Sequence, residues 1–269
     1  MTTPWQSKIP VLPTLITLGS LLCGFGAIIV ATMPKEHVPP VDRFELAGWL
    51  ILIAMVFDAL DGRIARMANQ VSEFGGELDS LCDAVSFGVA PAAVAMAVLS
   101  QYYAGWQIRL AWVACAIFAV CAVLRLARFN VANKPDEESH RSFQGLPSPS
   151  AAGMIASWII VHANLVQASP EAPYDWVGRY LLPALLVTVG PLMISNVRYV
   201  HLISELTRGE RSFQFFLGLI ALVFLLVVIP QYIIPVIFTT YIISGLVGVA
   251  IDRVLDRIDL AKDRDSFAG

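Results

Sequence analysis

The 269 residues are 57% hydrophobic and only 14% charged, with a mean hydropathy of +0.69, a composition that excludes an ordinary soluble fold with a balanced charged surface. A membrane-crossing helix takes about 20 largely apolar residues, so the chain holds roughly eight spans with short loops and has no room for a large soluble domain. The net charge of −3 says little in itself and gives no reason to expect a nucleic-acid partner; what matters is where Lys and Arg fall.

Taken in chain order, the apolar windows predict helices near Leu15 to Met33, Glu45 to Met67, Cys82 to Tyr103, Trp106 to Arg125, Ser150 to Gln167, Tyr180 to Val200, Phe213 to Ile229 and Tyr232 to Ile251. The fold class is therefore an all-α polytopic membrane bundle of about eight transmembrane helices, read as one integral membrane domain over 1–269. The first run follows a lone Lys8, is longer than a signal-peptide core and lacks an A-x-A cleavage site, so it is expected to stay in the mature protein. Cys23, Cys82, Cys115 and Cys121 all lie in apolar stretches without CxxC spacing and read as small packing residues. Pro230 separates the last two apolar runs with a tight break. The tail, about 252–269, alternates charged and apolar residues at roughly helical spacing, as a solvated helical end or a surface-lying helix does.

Of the 18 Lys and Arg residues, only Lys35, Arg43, Arg109 and Arg179 fall on one side of this alternation. The positive-inside rule then places both termini and the even-numbered loops, including the long polar loop of about 128–149, in the cytoplasm.

One stretch, Phe57 to Gly88, departs from the apolar background. Asp58 and Asp61 lie three residues apart at the cytoplasmic end of the second helix, while Gly75, Asp79 and Asp83 recur every fourth residue on one face of the helix that becomes the third span. Two antiparallel helix ends thus offer two carboxylates each to a common space. A charge at membrane depth costs on the order of 3 kcal/mol on insertion scales, so four acids here require a positive counterpart. All-oxygen ligands suit hard cations, Mg²⁺ or Mn²⁺, and a pair of them about 4 Å apart is a device for phosphoryl displacement. Gly62, Ala65 and Gly75 leave bare helix surface beside the acids, and Arg66 offers a fixed cation to phosphate oxygens or an aspartate.

At these residues the chain resembles the CDP-alcohol phosphotransferase family, whose signature D-x2-D-G-x2-A-R-x8-G-x3-D-x3-D is met at every fixed position by Asp58, Asp61, Gly62, Ala65, Arg66, Gly75, Asp79 and Asp83. The resemblance implies that Asp58, Asp61 and Asp79 bind two divalent cations, that Asp83 approaches a metal and acts as general base, and that Gly62, Ala65, Arg66 and Gly75 contact the CDP part of the donor. RLARFN (125–130), FQGLPSP (143–149) and SNVRY (195–199) are similar to segments of the phosphatidylserine synthase branch of that family. That similarity implies CDP-diacylglycerol as donor, L-serine as acceptor, CMP as leaving group and a homodimer. In the first helix, Pro13, Thr14, Thr17 and Ser20 stand where the family carries a P-N-x-x-T-x-x-N-like pattern; both amides are missing, and Thr17 keeps its hydroxyl as a donor-lipid contact.

Serine's own carboxylate needs a cation. Arg125, Arg128, Arg141 and Arg198 lie on the expected side, with Asn130 and Gln144 able to read the amine or carboxylate; each Arg also reads as a positive-inside anchor on lipid phosphates. Gly145 and Pro147 read as a tight turn. Two other functions stay open: the same chemistry with glycerol 3-phosphate or an inositol phosphate as acceptor, and an ion-coupled transporter, since intramembrane acids also mark ion pathways.

Overall fold

The computed structural model describes residues 11–34, 42–67, 72–132, 145–168, 175–197, 199 and 213–267. Among them every regular element is a helix. Helix α1 (Val11–Thr32) buries Pro13, Thr17, Ser20, Gly24, Ala27 and Ala31, a stripe of mostly small residues at alternating spacings of four and three. Small side chains let another backbone come close, the packing device available where lipid supplies no hydrophobic drive between helices. Helix α2 (Arg43–Met67) lies against that stripe. Its own buried seam, Ala47, Ile51 and Ala54, continues at the same spacing into Asp58 and Asp61. The acids are therefore on the face that sequence periodicity turns toward the protein.

Helix α3 (Glu73–Asp83) begins at a Ser72 cap whose Oγ accepts the Gly75 N–H at 3.1 Å. It runs without a break through a π-helical turn (Ala84–Val89) into α4 (Ala90–Leu99). The widened turn ends just before Pro91, which has no N–H to donate and whose ring would strike the carbonyl four residues back; the Ala90 N–H instead reaches Val85 O. The same arrangement recurs at a second π turn (Val177–Leu181), where the Leu182 N–H bonds Val177 O just ahead of Pro183. The first π turn is pressed onto α1: Ser86 is fully buried, its Oγ donates to Ser20 O at 3.1 Å, and a Cβ on Gly24 would lie 2.6 Å from Ser86 Oγ.

Helix α5 (Trp106–Ala132), α6 (Ser148–Ala168) and α7 (Leu182–Ile194) complete the core, with α6 buried along most of its length. Helices α8 (Phe213–Val228) and α9 (Pro230–Phe267) follow. Among the described residues, six segments are long and apolar enough to cross a membrane: Val11–Thr32, Phe74–Leu99, Trp106–Val131, Ser148–Ala168, Val177–Ile194 and Pro230–Val249, with Leu217–Val228 as a shorter apolar helix. The protein is a multi-pass helical membrane bundle. All four cysteines are free, and Cys82, Cys115 and Cys121 are buried as packing residues.

Three boundaries differ from the sequence expectation. Helix α5 does not end at Arg125 but continues through RLARFN to Ala132, because hydropathy marks where lipid stops rather than where the helical hydrogen bonds stop. The sixth predicted helix ends early, at Ile194, and Ser195 is extended. Ser195 Oγ donates to Leu192 O at 2.8 Å and accepts the Val197 N–H at 3.4 Å, a side-chain alternative to helical bonding that hydropathy cannot register. The C-terminal tail is continuous with the last span: α9 runs 38 residues from Pro230 to Phe267.

Candidate active site

Where α1, α2 and α3 meet, one carboxylate oxygen from each of Asp58, Asp61 and Asp79 lies within 4.8 Å of the others. Asp61 is almost fully buried, and the other two are half-buried. Thr17 on α1 fixes the buried one: its hydroxyl lies 2.7 Å from Asp61 Oδ2 and 3.1 Å from Pro13 O. Asp83, one turn beyond Asp79, comes within hydrogen-bonding reach of Asp58. The four acids singled out by spacing thus share one space. Among the described residues, the only ion pair within 4.0 Å joins Arg179 to Asp175, so none of their cations pairs directly with this cluster.

The small residues frame it. A Cβ on Gly62 would meet nothing within 4 Å, so the helix surface beside Asp61 is open. Gly75 sits in the capped first turn of α3, where a Cβ would lie 3.1 Å from Ser72 Oγ. Ala65 lies in α2, and its side chain is outside the described set. Arg66 is exposed, and its Nε donates to Gly62 O at 3.0 Å in its own helix, so its guanidinium stands at the rim and is not spent on an aspartate.

The acceptor candidates separate. Arg125 Nη1 donates to Ser148 Oγ at 3.0 Å, and its charge lies within electrostatic reach of Asp83. Arg128 is exposed and braces the end of α7, with Nη1 3.4 Å from Ile194 O and Nη2 3.4 Å from Asn196 Oδ1. Asn130 Oδ1 accepts from Ser80 Oγ at 3.1 Å, which ties α5 to α3 next to Asp79. Arg141, Gln144 and Arg198 lie outside the described residues. The turn expected at Gly145 is present, with φ +94°. Gly145 N donates to Val197 O at 2.8 Å and Leu146 N to Leu192 O at 3.1 Å, and a Cβ at Gly145 would run into the Met193 carbonyl. These bonds draw the start of α6, with Ser148, against the end of α7.

Sequence reasoning missed Ser72, Ser80 and Ser148, which cap or brace the site helices. It also missed Tyr199 and Tyr241, whose rings meet at a centroid distance of 5.4 Å. Tyr199 lies in the quoted SNVRY segment, where attention went to the charge at Arg198. Tyr241 lies in an apolar run that gave no polar signal.

The carboxylate cluster fits a hard divalent cation: its donors are all oxygen, they converge from two helices, and no ion pair among the described residues engages them. A family model described as CDP-alcohol phosphatidyltransferase matches residues 10–251. The chain belongs to the CDP-alcohol phosphatidyltransferase family. The family is generally dependent on divalent metal, in keeping with the Asp cluster. Among curated members, the chain is 29% identical over 238 residues to the CDP-diacylglycerol–serine O-phosphatidyltransferase of Helicobacter pylori, covering 87% of this chain and 89% of that protein. The proteins of the same name from Methanocaldococcus jannaschii and Saccharomyces cerevisiae are 36% identical over 151 residues and 45% identical over 143 residues. The first match covers 56% of this chain and 61% of that protein. The second covers 51% and 50%.

Proposed function

We infer that this chain transfers the phosphatidyl group of CDP-diacylglycerol to the hydroxyl of L-serine, giving phosphatidylserine and CMP. The observation that carries the inference is the convergence of Asp58, Asp61 and Asp79, with Asp83 in reach of Asp58, in a chain that meets all eight signature positions in sequence and matches a relative bearing that activity's name over 87% of its own length. In the reaction, a bond forms between serine Oγ and the lipid-side phosphorus while the phosphorus–oxygen bond to CMP breaks. Asp58, Asp61 and Asp79, with Asp83 beside them, would hold two divalent cations, Mg²⁺ or Mn²⁺, which neutralise diphosphate charge and polarise the attacking hydroxyl.

Asp83 takes the hydroxyl proton, a role supported by its place on the same helix face as Asp79 and its reach to Asp58. Thr17 holds Asp61 turned into the cluster and lines the donor's side of it. The open surface at Gly62, with Ala65 and Gly75, lets the CDP portion lie against backbone, and Arg66 at the rim meets a phosphate oxygen. Arg125, Arg128, Asn130, Arg141 and Gln144 are the side chains offered to serine. The acyl chains stay in the bilayer, the site and both termini face the cytoplasm, the protein works as a homodimer, and 1–269 acts as a single domain.

The test is CMP release by the purified protein from CDP-diacylglycerol, with Mg²⁺ or Mn²⁺ and with serine, glycerol 3-phosphate or inositol phosphate offered separately. Serine alone should yield CMP together with a serine-containing lipid. CMP release with another acceptor and none with serine refutes the assignment.

A further inference from the structure

Of the cations offered to serine, Arg125 is set apart by its surroundings. The Arg125 guanidinium is half-buried at the end of a membrane helix. One nitrogen bonds Ser148 Oγ, while Nε is sealed from solvent without a partner. No carboxylate among the described residues pairs with it. Removing a guanidinium from water costs several kcal/mol unless an anion meets it, so this geometry is that of a group awaiting a ligand. Asp83 and Tyr241 of α9 both lie within its electrostatic reach.

A second unmet group faces the same region. Tyr199 is 9% exposed, its hydroxyl is buried with no hydrogen-bond partner, and its ring is wedged between Tyr241 and the bare backbone of Gly245. A buried donor left unsatisfied costs about 1–3 kcal/mol. Two such groups, delivered by separate chain segments and linked through Tyr241, point to one ligand rather than to two packing accidents.

We propose that Arg125, Ser148, Tyr199 and Tyr241 form the acceptor pocket, in which Arg125 and the Tyr199 hydroxyl grip the carboxylate of an amino-acid alcohol. A carboxylate is planar and singly charged and matches one guanidinium fork with a hydroxyl beside it. A phosphorylated acceptor brings about twice that charge and would call for a second cation, which the described wall of this pocket lacks. With Asp83 in electrostatic reach of Arg125, an acceptor held by its carboxylate would have its hydroxyl free for the acid cluster. Specificity then comes from leaving Arg125 and Tyr199 unpaired when the carboxylate is missing, the strongest form of rejection a polar pocket has.

This pocket rests on serine being the acceptor, and one experiment separates the two. CMP release is measured for the wild type, Arg125→Gln and Tyr199→Phe with serine, with serinol, in which a hydroxymethyl group replaces the carboxylate, and with glycerol 3-phosphate. The wild type should favour serine over serinol by about 100-fold or more in kcat/KM. Arg125→Gln should cut the serine value by about 100-fold, mostly through KM, while changing the serinol value by less than about threefold and leaving KM for CDP-diacylglycerol in place. Tyr199→Phe should raise KM for serine about tenfold with an unchanged or higher Tm, since it deletes an unpaired buried hydroxyl; it also carries the test if Arg125→Gln does not fold. Equal losses on serine and serinol, or a wild-type KM for serine in Tyr199→Phe, overturn the pocket while leaving serine as acceptor. CMP release by the wild type with glycerol 3-phosphate and not with serine overturns the serine reading itself.

Discussion

The two ends of the bundle both carry polar clusters, and they are built on opposite terms. At the end away from the acids, Tyr102, Tyr103, His162, Asp175 and Arg179 bond one another and pair their opposite charges, with His162 Nδ1 and Arg179 Nε left over. The Tyr102 hydroxyl lies 3.0 Å from His162 Nε2, the Tyr103 hydroxyl donates to Arg179 O, Arg179 pairs with Asp175 at 3.2 Å, and the Arg179 guanidinium lies 5.7 Å from the Tyr102 ring centre. At the other end, Asp58, Asp61 and Asp79 converge with Asp83 beside them and no ion pair among the described residues, and Arg125 and Tyr199 keep unpaired polar atoms. Charges that find partners within the chain report on folding. Charges left without partners, where the surrounding helices hold them against their own repulsion, report on what the chain binds.

Experiments that break this contrast can be ranked by expected size. The largest effect belongs to the acids: Asp83→Asn should lower the rate of CMP release on the order of 10²–10⁴-fold, as loss of a positioned general base does. Asp79→Asn should do at least as much, by removing a carboxylate from the shared cation site. Full turnover in either variant would remove these residues from the reaction. Chelation comes next. EDTA should abolish CMP release, Mg²⁺ or Mn²⁺ should restore it, and the helical circular-dichroism signal should persist, because the fold is held by helix packing rather than by the ion. Thr17→Val should have a smaller effect, since it removes the 2.7 Å contact that orients Asp61 and the hydroxyl's contact with Pro13 O but no metal ligand. A partner that orients a metal ligand typically contributes about 10- to 100-fold in metal affinity, so the Mg²⁺ concentration for half-maximal rate should rise within that range while saturating activity stays within reach of the wild type.

Much of the acid site was legible because its geometry is local. Asp58 and Asp61 share one helix end, Asp79 and Asp83 share another, and helical periodicity alone puts each pair on one face. The meeting of the two pairs followed from the short connection between antiparallel helices. The contrast with Tyr199 and Tyr241 is physical. They come from segments separated by more than a whole helix, one of them extended because Ser195 diverts the backbone, and no periodicity links them. Thr17 was legible as a kept hydroxyl, but its partner was not, since the Asp61 contact depends on how closely the small-residue face of α1 lets α2 approach. Both π turns could have been sought ahead of Pro91 and Pro183, where a missing N–H and a ring clash leave a transmembrane helix few other ways to stay continuous.

The sharpest control lies at the end whose opposite charges are paired within the chain. Tyr102→Phe removes the hydroxyl bonded to His162 and keeps the ring that lies under Arg179 and against Gly178. His162 is buried, and its Nδ1 has no partner, so losing the Tyr102 contact leaves the imidazole with no bond at either nitrogen among the described residues. The expected cost is about 1–2 kcal/mol, read as a lower Tm in detergent, with kcat and both KM values within about twofold of wild type because the site is at the other end of the helices. A variant that keeps its Tm and loses turnover would mean that the far cluster speaks to the acids through α6, and the division between a structural end and a binding end would have to be given up.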